Sequence, residues 1–183
     1  MDNISIIIRN KNEAEFIGFA IQSCLDFFDR PEIIIVNNNS VDDSMDVVQN
    51  FNNRTNIIIE NIDAYKPGKS INLGVRKVTN EYILVLSGHS QIIQLDFNLV
   101  KKNLHKHEAV FGKQTPIFRG KKITPGYIWT NFIDHPKVNL YSEIEKRYFL
   151  HNAFCFYKKE TLINHPMPEE YAGKEDRFWA KSI

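Results

Sequence analysis

The sequence predicts a mostly parallel α/β sheet, doubly wound, with helices on both faces. Two observations carry that expectation. Ser5-Ile6-Ile7-Ile8 and Glu32-Ile33-Ile34-Ile35-Val36 are continuous β-branched runs, as expected of strands buried on both faces. Segments of helical periodicity separate such runs, and that alternation gives parallel strands joined by crossover helices.

The elements follow in order. After the strand at Ile4 to Ile8, a helix is expected from Ala14 to Phe27, with Phe16, Ile17, Ala20, Ile21, Cys24 and Leu25 at helical spacing. Glu32 to Val36 is the second strand. Asn37-Asn38-Asn39-Ser40 is a turn cluster, and Asp42 or Ser40 can cap the helix bearing Val47, Val48 and Phe51. Asn56 to Glu60 is a third strand. Pro67-Gly68 reads as a loop before a helix from Ser70 to Val78, and Tyr82 to Leu86 is a fourth strand. In the second half, Asp96 to His105 and Lys159 to Ile163 read as helices, and Ala109 to Lys113 and Phe149 to Tyr157 as strands. Gly120 to Lys137 is rich in Gly, Pro and aromatic residues and reads as a long loop, a candidate flap. Glu175 to Ser182 opens a last helix.

Composition narrows the function classes. The chain has 183 residues, 43% hydrophobic and 25% charged, with a net charge of +1. That suits one globular domain with a sizeable core, or at most two small ones. No global field recruits nucleic acid or an anionic membrane, so an acidic ligand must be held by a few local groups. Two cysteines, Cys24 and Cys155, are too few for a disulfide framework and are read as small core residues. No signal peptide or membrane-spanning run is evident, so a cytoplasmic location is expected, with association at the inner membrane face compatible with it.

In open parallel sheets ligands bind beyond the carboxyl ends of the strands. The segments there are Arg9, Asn10 and Asn12, then Asn37 to Ser40, then Ser87 to Ser90. All are polar and converge on one rim. Asparagine offers a donor and an acceptor, so Arg9, Asn12 and Asn37 to Asn39 are candidates to hold a nucleotide base and ribose; asparagines also favour turns for purely structural reasons. Lys66, Lys69 and Asn72 flank or follow Pro67-Gly68, where helix-start amides can meet a phosphate.

These segments, in this order, resemble the family 2 glycosyltransferases, inverting enzymes of the GT-A fold. The resemblance rests on "IIIRNKNE" from Ile6, "IIIVNNNSVDD" from Ile33, "YKPGKSINLG" from Tyr65, "EYILVLSGHS" from Glu81, His151-Asn152-Ala153, and Glu175-Asp176. Departures accompany it. Asn37 and Asn38 stand where the family usually has aspartate, and Ser87 and His89 replace its Asp-x-Asp pair. The family also continues past the Glu-Asp helix, so residues 1–183 are expected to form one such domain lacking its usual C-terminal elements. Residues 1–90 would be the nucleotide-binding half and 91–183 the acceptor-side half.

The resemblance implies transfer of a sugar from a nucleotide-diphosphate sugar to a carbohydrate or lipid-linked acceptor in polysaccharide or glycan synthesis. Asp176 would be the general base, and Glu175 would orient the site by accepting backbone amides. Arg177 would pair with a carboxylate or a phosphate. A carboxylate at a helix start is expected to keep its charge. His151 and Asn152 would lie near the acceptor or donor sugar. His89 has three open roles: a ligand for Mn²⁺ or Mg²⁺ leaning on the substrate diphosphate, an imidazolium on phosphate, or a polar turn residue. Phe118, Tyr127, Trp129 and Phe132 can stack on a sugar or simply pack. His105 and His107 are read as solvent-exposed.

Two rivals stand beside this reading. One is a degenerate nucleotide-sugar-binding domain without catalytic activity. The other, a nucleotidyltransferase or Rossmann dehydrogenase, would need a glycine-rich loop after the first strand, and "RNKNEAEF" has no glycine.

Overall fold

A computed structural model describes residues 3–122, 135–143 and 146–183. The chain runs β1 (Ile4–Asn10), α1 (Ile17–Phe27), β2 (Glu32–Asn37), α2 (Ser44–Gln49), β3 (Ile57–Asn61), α3 (Pro67–Val75), β4 (Tyr82–Ser87) and α4 (Phe97–Leu104). It continues through β5 (Ala109–Phe111) and the short pairs β6 (Ile117–Phe118) with β7 (Lys121–Lys122) and β8 (Tyr141–Ser142) with β9 (Arg147–Tyr148). β10 (Phe154–Lys158), α5 (Lys159–Asn164) and α6 (Glu175–Ser182) complete it.

Six strands form the main sheet in the order β3-β2-β1-β4-β10-β5. The pairs among β1 to β4 are parallel, whereas β10 runs antiparallel to both β4 and β5. Strand order reverses between β1 and β4, the kind of switch point where such sheets open a crevice.

The β-branched runs explain the layers. Successive side chains on a strand point to opposite faces. Ile6, Ile8, Ile33, Ile35, Leu84 and Leu86 therefore meet α1, α2 and α4 on one face. Ile7, Ile34, Val36, Ile83 and Val85 meet α3, α5 and α6 on the other. Each fully buried isoleucine contributes roughly 2 kcal/mol, and both cysteines belong to these layers, reduced and fully buried. Gly74 is where α3 presses on β1: a Cβ there would stand 2.6 Å from Ile7 Cγ2.

Where the boundaries differ from expectation, three of the differences have a visible cause. α1 begins at Ile17, because residues 14–16 form a turn whose Ala14 N–H donates to Asp42 Oδ2 at 2.9 Å. α3 begins at Pro67, which serves as a first-turn residue because it has no N–H to satisfy there. Phe149 and Leu150 are buried coil, and the strand starts only at Phe154, where pairing with Leu86 begins. Among the described residues no helix is long and apolar enough to cross a membrane.

Candidate active site

Arg9 is the next-to-last residue of β1 at the switch point, in register between Val36 and Ser87. It was expected at a base or ribose; its guanidinium instead reaches across to the head of α6. Nη1 donates to Glu175 Oε1 and Nη2 to the Asn152 carbonyl, both at 3.3 Å. Both side chains of the ion pair are largely out of solvent, at 14% and 6% exposure, so it is screened little. Arg9 Nε is buried with no partner among the described residues.

Among the described residues Glu175 is held by side chains and not by the backbone amides expected: besides Arg9, the Asn152 amide donates to the same Oε1 at 3.2 Å. Asn152 is itself committed. Its Oδ1 accepts from Tyr157 Oη at 2.5 Å, and the residue is 1% exposed. Its amide also reaches Met167 Sδ at 3.9 Å. Asn152 thus supports the carboxylates from the wall of the cleft.

Asp176 is half-buried beside this support, and its Oδ1 accepts the Arg177 N–H at 2.8 Å. Burial pushes its carboxyl above the ordinary 3.8, while backbone donors from Arg177 and Asn152 and the charges of Arg177 and Arg9 pull it back. Desolvation therefore outweighs the helix-start charge that was expected to keep it low. The residue before the helix, Lys174, sits at φ 66, a left-handed conformation that costs a non-glycine residue about 1 kcal/mol. Arg9, His151, Asn152, Ala153 and residues 174–177 line a cleft of about 180 Å³. His151 Nδ1 accepts from Gln114 Nε2 at 2.6 Å and from Ala153 N at 3.2 Å, which leaves the ring proton on Nε2.

The asparagine rim is knitted to itself. Asn37 Oδ1 accepts from Ser40 N at 3.2 Å and its amide donates to Asn61 Oδ1 at 2.9 Å. Asn12 Oδ1 accepts from Val41 N at 2.9 Å. The left-handed backbone belongs to Asn12 and Asn39, at φ 54 and 46, and not to Asn37 or Asn38. Asn38 is 8% exposed, and its N–H donates to the Asn10 carbonyl at 2.9 Å. Asn10 Oδ1 is buried and without a partner among the described residues. Of this rim, Asn10 Oδ1 is the buried side-chain atom left uncommitted among the described residues.

The start of α3 is covered by the chain itself. Asn72, expected to point into the cleft, clamps the segment before α6. Its amide donates to Met167 O and Glu169 Oε1, each at 2.8 Å, and its Oδ1 accepts Met167 N at 2.9 Å. Lys66 Nζ donates to the Glu170 carbonyl at 3.0 Å. Lys69 is half-buried on the same turn. Pro168 packs so closely that a Cβ on Gly68 would stand 2.1 Å from its carbonyl oxygen, which closes that helix start to a phosphate.

Ser87 ends β4 at 9% exposure, its N–H donating to Ala153 O at 3.2 Å. The Gly88 N–H bonds the Arg9 carbonyl at 3.2 Å, which places His89 beside β1. His89 is 60% exposed, and Nδ1 donates to Glu13 Oε1 at 2.9 Å. A carboxylate on Nδ1 leaves Nε2 toward solvent, and in a neutral ring that nitrogen accepts, the arrangement common to metal-binding histidines. Among the described residues no three His, Cys, Asp or Glu side chains converge on a metal position. Any cation here would therefore depend on His89 and on oxygens from the ligand.

Residue reasoning missed Tyr157, which sits in an apolar run and looks like core, and Met167, which sits between two prolines in a turn-rich connection. Of the aromatics considered for stacking, Tyr127, Trp129 and Phe132 lie outside the described residues, and the side chain of Phe118 is not described. His105 is exposed and His107 half-buried. A larger hollow of about 580 Å³ opens at the amino end, lined by residues 25–30 and Arg54. It has no part of the carboxylate cluster, so the smaller cleft is the candidate site.

The glycosyl transferase family 2 model matches residues 5–165. No curated protein matches the chain. Among solved structures, S. aureus TarS 1–349 aligns with a TM-score of 0.73 and 20% identity over 97% of this chain and 53% of that one. The same fragment has been solved with UDP and with UDP-GlcNAc. The mannosyltransferase PcManGT from Pyrobaculum calidifontis, in complex with GDP-Man and Mn²⁺, aligns with a TM-score of 0.72 and 16% identity over 98% of this chain and 51% of that one. The likeness establishes the GT-A fold. The chain spans about half the length of these solved relatives.

Proposed function

The chain belongs to glycosyl transferase family 2, and from that membership we propose that it moves a sugar from a nucleoside-diphosphate donor to an acceptor hydroxyl, with inversion. One observation carries this reading: a half-buried, pKa-raised Asp176 beside an Arg9–Glu175 pair in a cleft at the carboxyl rim.

Asp176 takes the acceptor proton as the acceptor oxygen bonds to the anomeric carbon. The bond from that carbon to the diphosphate breaks, and its electron pair leaves with the phosphate oxygen. A raised pKa moves the base toward the working pH, where general-base catalysis is most efficient. Glu175 is held by Arg9 and Asn152 and fixes the head of α6. Arg177 forms no ion pair among the described residues and lines the same cleft, so it is free to meet acceptor or phosphate. Ser87, Asn38 and Asn10 line the route from β4 to β2 where the nucleotide would lie. The 1–90 segment then serves the nucleotide and 91–183 the acceptor.

A divalent cation, if recruited, would be held by His89 Nε2 and the donor's diphosphate and would neutralise the leaving group. Its Glu13-oriented imidazole suits a transition metal such as Mn²⁺ better than Mg²⁺. UDP and GDP sugars are the donor classes to test, since the solved relatives hold them. Polysaccharide or lipid-linked glycan synthesis at the cytoplasmic face of a membrane is the biological setting we assign.

The test is a thermal-shift screen of UDP, GDP, UDP-GlcNAc and GDP-mannose, with and without Mn²⁺, followed by release of nucleoside diphosphate. Asp176→Asn should bind like the parent yet lose about 10²–10⁴-fold in turnover. His89→Ala should shrink any Mn²⁺-dependent shift. Nucleotide binding with no turnover by the parent protein would leave a binding domain instead.

A further inference from the structure

Tyr157 lies on β10, fully buried, in the core layer that supports α6. Two contacts join it to the site. Its hydroxyl donates to Asn152 Oδ1 at 2.5 Å, and Asn152 in turn donates to Glu175. Its ring meets Trp179 edge to face, with centroids 5.3 Å apart at 89°. Trp179 is anchored in turn, its indole N–H donating to the His165 carbonyl at 2.7 Å.

Asp176 and Trp179 are three apart on α6 and share a face. One side chain therefore touches the residue that holds Glu175 and the residue one turn below Asp176. Packing alone would be met by phenylalanine without the cost of burying a hydroxyl. Burial holds the phenol well above its ordinary 10, so it remains a donor to Asn152. Asn152 serves both carboxylates: its amide side chain bonds Glu175, and its backbone N–H favours ionised Asp176.

We propose that Tyr157 is a positioning residue for the transfer reaction: its hydroxyl locks the Asn152 amide, which locks Glu175 and aims Asp176 at the acceptor. The inference rests on the function assigned above to Asp176. Tyr157→Phe isolates it, because the ring against Trp179 stays and only the hydroxyl goes.

Turnover is read as nucleoside diphosphate released from UDP-GlcNAc or GDP-mannose, whichever the parent protein consumes. The expected result is a fall of about 10–100-fold in kcat with the donor KM within about twofold. The acid limb of kcat/KM should also move to higher pH, as Asp176 loses part of its hydrogen bonding. Tyr157→Phe combined with Asn152→Ala should be no slower than Asn152→Ala alone, since both act through one amide. An unchanged kcat, or a loss that adds in full to that of Asn152→Ala, would overturn the proposal. A crystal structure of Tyr157→Phe reads the same claim without turnover. A turned Asn152 amide detached from Glu175 supports it, and an unmoved Asn152–Glu175 contact overturns it. A parent protein inert toward both donors counts against the assigned function, and this crystal structure still decides the role of Tyr157.

Discussion

At the amino end of the sheet, Glu32 is 7% exposed and accepts from Ser5 Oγ, from Thr79 N at 2.9 Å and from Thr79 Oγ1 at 3.0 Å. At the carboxyl end, Asp176 is half-buried and held by backbone donors, and among the described residues Arg9 Nε and Asn10 Oδ1 are buried without a partner. The first end spends its polar atoms on itself, pinning β2 to the turn before β4. The second leaves capacity unspent. Hollow size ranks the two ends the other way, about 580 Å³ against about 180 Å³. Unsatisfied polar atoms and a desolvated carboxylate, not volume, are the grounds on which the carboxyl end is proposed as the site.

The sharpest way to break that contrast is Glu32→Ala. Three donors would lose their acceptor in a dry setting, at a cost of about 3 kcal/mol. For a domain of this size that lowers Tm by roughly 6–12 °C. Urea denaturation checks it, with nucleotide binding by the folded fraction unchanged. A loss under about 1 kcal/mol would mean Glu32 is not the structural counterpart described here.

The same contrast explains what could be read from residues alone. β1, β2 and β4 were legible because runs such as Ile6-Ile7-Ile8 have no other stable home than a two-sided core. The start of α3 was not, since Pro67-Gly68 resembles a loop until its place on a first turn is seen. Lys66 and Asn72 were misplaced with it: a segment almost a hundred residues later folds over them, at separations of 104 and 95. Asp176 was proposed on the family resemblance alone, because a carboxylate on a first helical turn is otherwise ordinary. The partnership of Arg9 with Glu175 spans 166 residues and leaves no local signal.

Gly68→Ala probes the segment that joins the two halves of the site. Its new Cβ would meet backbone, Pro168 O at 2.1 Å and Pro168 C at 2.9 Å, so no side chain can swing aside. Residues 167–170 must lift from α3, taking Met167 from beside Asn152. A destabilisation of about 2 kcal/mol is expected, with weaker turnover in the protein that remains folded. Wild-type stability would show that this contact yields easily.

Asp176→Asn carries the smallest stability effect and reverses the usual sign. The folded pKa of Asp176 is raised above its ordinary 3.8, so folding favours the neutral form. Below the unfolded value both states are protonated and nothing is lost. As pH rises through the folded value, the ionised group costs stability, and that cost persists at neutral pH. Asparagine keeps the acceptor for the Arg177 N–H and carries no charge. The variant should therefore melt about 2 °C higher than the parent at pH 7, with the gap closing as pH falls toward 4. Parallel melting curves over pH 3.5 to 7.5 check this. A variant less stable than the parent at pH 7 would show that Arg9 and Arg177 more than offset the desolvation, and Asp176 would then join Glu32 on the structural side of the comparison.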